Sequence, residues 1–447
     1  MIGTHTTLKA ILNAKEKRVL EQQMLLNRFP EASLISLCIN IPGTLKLSHE
    51  AVVLHEVALE AIMALLEHHA IVMHEKKTCI AVTGAETLFT CKSDAMHLKQ
   101  LMCELENEHP LGRLMDIDVL DSIGKSLSRT ALGFGKRRCF VCACEASLCA
   151  RSQKHSYGEL HAHIKTLVGR HAWETSMALW CARAMQTEVE LTPKPGLVDQ
   201  ANSGAHRDMD IQTFYQSIQA IQPFTKQFLH AARMSANEHA KETFARVRLI
   251  GIACEKAMFE ATNGVNTHKG MIFSLALVCA ALGRLKANET AFTCKNIQHQ
   301  IQAMCENLVE EDLAHAKPNS AGERFFHETG SSGIRGVAQS GFAIIFEESL
   351  PFFLSQKALF SEEIALKQTL LYLMAHVEDS TLWSRGGLDG LRYTKKEAQK
   401  LLHVKDETDA LDARLQTFDV EMINKNLSPG GSADLLALTW LLSKIID

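Results

Sequence analysis

The sequence predicts two domains: an N-terminal α+β domain (mixed sheet with helices) over residues 1–168, and a C-terminal all-α helical bundle over residues 169–447. Three observations carry that reading. The chain has 447 residues, which at about 100–200 residues per domain calls for more than one. Strand-like runs occur only before about residue 150. From about residue 170 onward, long periodic helical stretches follow one another, broken by Gly-rich turns.

Taken in order, Thr6–Phe29 has helical spacing and meets no Pro or Gly before Pro30. Ser33–Ile41 (SLISLCINI) is rich in Leu and Ile, alternates, and is stopped by Pro42-Gly43, which suits a strand. His49–His69 reads as helix, Thr78–Thr83 as strand, Ala95–Glu108 as helix and Leu114–Leu120 as strand. The join is placed in Tyr157–Arg170, itself helical. Beyond it, His171–Glu190, Asp210–His230, Lys241–Phe259, Met271–Leu285, Glu362–Val377 and Ala433–Ile446 have the 3.6-residue period.

Composition narrows the function. Lys plus Arg number 47 and Asp plus Glu 51, so a net charge of −4 gives no electrostatic reason for nucleic-acid binding. At 46% hydrophobic and 22% charged residues the chain is globular, and with aromatics at 6% its core rests on Leu, Ile, Val, Met and Ala. Thirteen cysteines and no secretory pattern in Met1–Ala10 predict reduced thiols in the cytoplasm. The apolar run Met271–Gly283 stops at Arg284, too short for a bilayer span, so a buried helix and no membrane partner are expected.

Gly112–Val119 (GRLMDIDV) is the sharpest element of the first half. On a strand, Asp116 and Asp118 share one face about 7 Å apart, while Ile117 and Val119 face inward. Such a pair can hold a divalent ion against phosphate oxygens, with Arg113 gripping another phosphate, or be a solvated strand face. Downstream, Arg137-Arg138-Cys139-Phe140-Val141-Cys142-Ala143-Cys144 is followed by Cys149, Arg151 and His155. Zinc is one reading of these thiols, but no second Cys-x-x-Cys or His pair follows at the usual separation, so reduced, partly buried thiols are favoured. Arg129, Arg138 and their neighbours supply counter-charge for a polyphosphate, with surface solvation as the competing reading.

In the second half, polar residues gather at turns beside helices. Thr192–Asp199 and Asn202–Asp210 form a long Pro- and Gly-constrained loop displaying Lys194, Asp199, His206, Asp208 and Asp210, although Asp208 or Asp210 also reads as a helix N-cap. Thr262–Gly270 brings Asn266, Thr267, His268 and Lys269 to the start of an apolar helix, where free N–H groups and the helix dipole favour an anion. Gly330–Gly336 with Arg335, then Asp379 with Arg385, and finally Ser428-Pro429-Gly430-Gly431-Ser432-Ala433-Asp434 complete the set. Together these predict a helical bundle that binds a polyphosphate on helix starts, with Mg²⁺ on aspartates.

Several of these strings carry a family resemblance. Thr192–Asp199, Asn202–Asp210, Gly264–Gly270 (GVNTHKG), Arg385–Gly387 and Ser428–Leu438 resemble triphosphoribosyl-dephospho-CoA synthase over about residues 170–447. Ile39–Gly43, Gly112–Val119, Arg138–Cys149 and His155 resemble apo-citrate lyase phosphoribosyl-dephospho-CoA transferase, and the whole resembles the bifunctional fusion. Val337 stands where that family carries Glu, and Ser380-Thr381 where it carries Thr-Asn.

The resemblance implies two reactions. The C-terminal one joins ATP to 3′-dephospho-CoA: the ribose 2′-hydroxyl attacks the anomeric carbon of ATP, and adenine leaves. It implies phosphate contacts from Lys194, Asn266, Thr267, Lys269, Arg335, Arg385, Ser428, Gly430 and Gly431, and metal or cation stabilisation by Asp208, Asp210, Asp379 and Asp434. His206 or His268 would serve as acid or base beside a catalytic Asp208. The N-terminal reaction moves the phosphoribosyl-dephospho-CoA unit to a serine of the citrate lyase acyl carrier protein (gamma subunit), releasing pyrophosphate. There Asp116 and Asp118 would hold Mg²⁺ and Arg113, Arg129 and Arg138 the phosphates. A runner-up is the equivalent prosthetic-group pathway for malonate decarboxylase; a reading of another class is a non-catalytic, zinc-stabilised assembly factor.

Overall fold

Thr7, Ser48 and Asp94 each turn a side-chain oxygen onto the first turn of a helix, and so start α1 (Leu8–Arg28), α2 (His49–His68) and α3 (Ala95–Glu108). These helices belong to the first of two units, Met1–Trp173 and Glu174–Asp447, in a computed structural model that describes residues 3–142, 144–313, 321–402 and 408–446.

Four strands complete the first unit: β1 (Ser33–Ile39), β2 (Val72–Ala81), β3 (Gly84–Lys92) and β4 (Met115–Leu120), in the order β2-β3-β1-β4. Every pairing is antiparallel, which narrows the expected mixed sheet to one kind of ladder. Thr78–Thr83 is not one strand. Val82 and Thr83 are the turn of the β2–β3 hairpin, and Gly84, at φ 121°, opens β3. Alternation did not reveal β3 because both its faces are buried, with Thr87 and Thr90 among the covered residues.

The two faces of the sheet have different covers. Ile35, Leu37, Phe89, Ile117 and Val119 share a core with Leu54, Ala58 and Ile62 of α2 and Leu98 and Met102 of α3. On the other face, Leu34, Leu88 and Leu120 meet Leu25 and Leu26 of α1. Because side chains alternate along β4, Asp116 and Asp118 emerge on this α1 side. A short helix, α4 (Ala146–Arg151), follows, and then α5 (Tyr157–Glu190), within which the unit boundary falls.

Among the described residues, the regular secondary structure of the second unit is all helical. It contains α6 (Ile211–Met234), α7 (Ala240–Ala261), α8 (Lys269–Ala287), α9 (Cys294–Met304), α10 (Leu308–Leu313), α11 (Ala321–Thr329) and α12 (Gly333–Gln339). A π-helical turn, Ile344–Ser349, then leads into α13 (Leu350–Lys357), α14 (Glu362–His376), α15 (Ser380–Leu402), α16 (Thr408–Asn424) and α17 (Gly430–Ile445). Its centre is α8 and α17, apolar around most of their circumference and buried accordingly. At Gly283 an added Cβ would meet the Leu229 carbonyl at 2.5 Å, so glycine lets α6 and α8 approach. Arg284 does not end α8. It is buried and donates to the Ser235 and Glu238 carbonyls, Thr243 Oγ1 and Gln300 Oε1. By length and composition Lys269–Ala287 is apolar enough to cross a membrane, yet 78% of its apolar window is buried within the protein.

Candidate active sites

In the first unit, the N-terminal half of α1 stands off the sheet and leaves a cleft of about 770 Å³. Asp116 lies in it with Lys15, Arg18, Lys46 and Glu86. The loop Asn40–Gly43 separates it from a second cleft of about 610 Å³, lined by Arg113, Arg138 and His155. Both clefts share Asn40, Ile41, Gly43, Lys46 and Tyr157, so one loop after β1 walls two sites. Burial and the nearby Lys15 ammonium lower the proton affinity of Lys46.

Glu106 anchors the region, although its sequence position gave no hint of it. Only 1% of its side chain is exposed, yet it accepts the Ile117 N–H at 3.0 Å and pairs with Arg129 and Arg137. Burial pushes its carboxyl up despite those arginines. Arg137 also holds Asp116, so this aspartate is already neutralised, while Asp118 is exposed and has no hydrogen-bond or ion-pair partner among the described residues. Arg129 is committed to Glu106 and Asn107 and lines neither cleft. Arg113 donates to the Arg138 carbonyl; its Nε is buried without a partner, and burial followed by Arg137 and Arg129 lowers its pKa.

In the second unit, the loop from 192 to 210 is tied by two buried aspartates. Asp199 accepts the N–H groups of Lys194, Ala201 and Asn202, and Asp419 of α16 accepts those of Gly196 and the Asn202 amide. Lys194 is 1% exposed and paired with Glu188 of α5, which turns its ammonium inward rather than toward an incoming phosphate. Asp210 caps α6 in a capping box with Thr213, and Asp208 is 64% exposed, 4.0 Å from His206. Neither aspartate joins the buried groups.

His206, Arg385 and Ser428 form one bonded set. Arg385 donates to His206 Nδ1 at 3.1 Å and to the Ala205 carbonyl at 2.6 Å, which leaves the proton on His206 Nε2, 2.9 Å from Ser428 Oγ. Burial, then the Arg385 charge, lowers the His206 pKa to about 4. A second set lies at the start of α8. Thr267 donates to Ser217 Oγ, which lies 2.7 Å from His268 Nδ1 and gives its proton there, so Nε2 carries the ring hydrogen. That Nε2 is buried with no hydrogen-bond partner among the described residues, and burial, then Lys194, lowers the His268 pKa to about 3. Asn266 accepts the Lys269 N–H as a cap.

The third set is acidic. Asp379 accepts N–H groups from Thr381 and Leu382 on one oxygen, and from Ser432 on the other, with Gly431 packed against it. Asp434 is half-buried and has no hydrogen-bond or ion-pair partner among the described residues. Burial, then Glu188 and Asp379, raises its pKa well above the carboxylate range. Its Oδ2 lies where a Cβ on Gly270 would be, at 2.4 Å. Gly270 in turn lines a cavity of about 350 Å³ with Lys269 and Arg335, each already paired, to Glu255 and to Asp312. Gly430 lies against Thr381.

Comparison with known proteins bears on the two units. A family model described as ATP:dephospho-CoA triphosphoribosyl transferase matches residues 174–447, and one described as apo-citrate lyase phosphoribosyl-dephospho-CoA transferase matches residues 6–171. Protein CitXG of Haemophilus influenzae is 38% identical over 98% of this chain and 96% of its own length. The chain belongs to the family in which these two transferases are fused. Relatives of the second unit alone include a probable 2-(5''-triphosphoribosyl)-3'-dephosphocoenzyme-A synthase of Vibrio cholerae, 47% identical over 59% of this chain and 86% of its own length. The synthase of that name from Pectobacterium atrosepticum is 47% identical over 58% of the chain and 86% of its own length. The fusion carries two transferase activities, so it is an enzyme of citrate lyase prosthetic-group synthesis.

Among the residues singled out in the sequence, the structure joins His206 with Arg385 and Ser428, Thr267 with His268, and Lys269 with Arg335. Glu188, Ser217, Glu106 and Arg137 complete the sites, although only Arg137 had drawn notice, as part of a basic run. An acid six residues from a lysine was the available signal for Glu188; the others are joined only by the fold.

Proposed function

We propose that Asp434 marks the centre of the synthase site, where ATP and 3′-dephospho-CoA are joined and adenine is lost. The supporting observation is a half-buried carboxylate without a partner among the described residues, crowded by Glu188 and Asp379, which favours uptake of positive charge. Mg²⁺ is ordinarily held by one or two carboxylates plus substrate phosphates. Asp434 suits that role; Asp210 and Asp379 do not, since their oxygens serve backbone N–H groups. Bound with the nucleotide, the ion would neutralise phosphate charge. Lys269 and Arg335 take the triphosphate by exchanging Glu255 and Asp312 for phosphate oxygens. His268 stays neutral and offers its Nε2–H to the departing adenine. His206, Arg385 and Ser428 hold the second substrate.

In the first unit, Arg113 and Arg138 bind the phosphates, and a carrier serine displaces pyrophosphate by in-line attack, a reaction that needs positioning and charge neutralisation above all. Asp118 is the carboxylate left to hold a cation, since Asp116 has Arg137 upon it. The acceptor is the acyl carrier subunit of citrate lyase. None of the thirteen cysteines is paired in a disulfide among the described residues, which supports a reducing, cytoplasmic setting.

The test is incubation of the full chain with ATP, Mg²⁺ and 3′-dephospho-CoA, with free adenine measured by chromatography. Asp434→Asn is expected to lower adenine release at least ~10²-fold and leave carrier labelling from pre-made triphosphoribosyl-dephospho-CoA intact. Asp118→Asn is expected to do the reverse. If either substitution stops both reactions, the assignment of one reaction to each unit is wrong.

A further inference from the structure

Neither reaction above assigns a role to Cys139, Cys142, Cys149 or His155, yet the fold gathers them, with Cys139, Cys149 and His155 on the wall of the second cleft. Three Sγ atoms and one ring nitrogen all lie within 4.8 Å of one another. Cys149 Sγ is 3.6 Å from that of Cys139 and 4.0 Å from that of Cys142. Those separations are far beyond a disulfide, whose sulfurs lie about 2.05 Å apart. They match the edge of a tetrahedron around zinc, which for a Zn–S bond of about 2.3 Å is roughly 3.8 Å.

We propose that these four residues form a structural zinc site that clamps the Arg137–Arg138 segment beside the second cleft. Four protein ligands of the Cys₃His type fill a tetrahedron, so no position is left for substrate. Thiolate and imidazole together favour zinc over the hard cations Mg²⁺ and Ca²⁺.

Local geometry agrees. Arg138 and Glu145 form an antiparallel bridge, and the Cys139 N–H donates to the Cys144 carbonyl at 2.8 Å, closing a tight loop around the first two ligands. The Val141 N–H donates to Cys139 Sγ at 3.4 Å, as a metal-bound thiolate requires. His155 Nε2 is buried and has no hydrogen-bond partner among the described residues. Cys144 is outside the set: it is exposed and takes a hydrogen bond from Lys154 at 3.2 Å. The ligand spacing is therefore Cys-x₂-Cys-x₆-Cys-x₅-His, whose long middle interval is bridged by the first turn of α4, which carries Cys149.

The consequence is mechanical. Arg137 reaches back to Asp116 and Glu106, Arg138 lines the cleft, and both immediately precede the first ligand.

Full-length protein, purified without chelator, is expected to hold one zinc per chain by mass spectrometry of the metal. The metal should survive gel filtration and be released by a mercurial thiol reagent. Cobalt(II) in its place should give the intense visible bands of a tetrahedral thiolate site. Cys142→Ser and Cys149→Ser should hold less than a tenth as much zinc, and His155→Ala should alter the cobalt spectrum; Cys79→Ser, an exposed thiol elsewhere, should keep the full equivalent. Removing the metal should abolish carrier labelling and leave adenine release unchanged. Protein without zinc that still labels the carrier, or zinc that persists in all three ligand variants, would overturn the proposal.

Discussion

Gly270→Ala is the most direct probe of the synthase site. The new Cβ would fall 2.4 Å from Asp434 Oδ2. Ordinary nonbonded contact begins at roughly 3.5 Å, so one of the two groups must move by about 1 Å. The start of α8 is held by the Asn266 cap and by the buried Met271, Ile272 and Ser274 behind it, whereas among the described residues no hydrogen bond holds the Asp434 carboxylate. The carboxylate therefore moves. Folding is little affected, because alanine gains about 1 kcal/mol over glycine inside a helix, against a local overlap of about 1–3 kcal/mol. Catalysis suffers more: a misplacement of about 1 Å can cost ~10²-fold in rate. Adenine release by chromatography should fall by that factor, the melting temperature should move only a few degrees, and carrier labelling from pre-made intermediate should be untouched. Undiminished adenine release would refute the placement of Asp434 at the reacting centre.

Two other perturbations probe the rest of the frame. Glu106→Gln leaves Arg129 and Arg137 without their buried counter-charge and should destabilise the first unit by about 3–5 kcal/mol, with loss of carrier labelling; a denaturant midpoint close to the parent's would contradict the anchor role. His206 binds its proton near pH 4 in the fold against 6.5 for the free side chain, so between those values the unfolded chain holds the extra proton and acidification is destabilising. From pH 7 to pH 5 this amounts to about 2 kcal/mol, and His206→Gln should lose that slope; parallel pH–stability curves for parent and variant would contradict it.

How far the sequence could be read depended on whether the signal was local. β4 was legible because Asp116 and Asp118 alternate with Ile117 and Val119, and α8 because its apolar run has no break. β3 escaped because buried threonines erase alternation on a strand covered on both sides. Lys194 read as a phosphate ligand since lysines in polar loops usually face solvent; its burial against Glu188 depends on how α5 ends, which no loop sequence discloses. Asp210 was ambiguous between cap and ligand, and its capping box with Thr213 decides the matter locally. The zinc ligands were visible as residue types, but a six-residue middle interval resembles no standard motif until α4 folds it back.

Asp379 has a further consequence. One of its oxygens fastens the beginning of α15 and the other the beginning of α17, so the two rods share a single pivot. The α17 end is joined through that carboxylate to α15, one and a half turns along which Arg385 grips the Ala205 carbonyl and His206. With one substrate proposed at Asp434 of α17 and the other at His206, a single buried carboxylate is the bonded link between the helix carrying the first and the helix gripping the second.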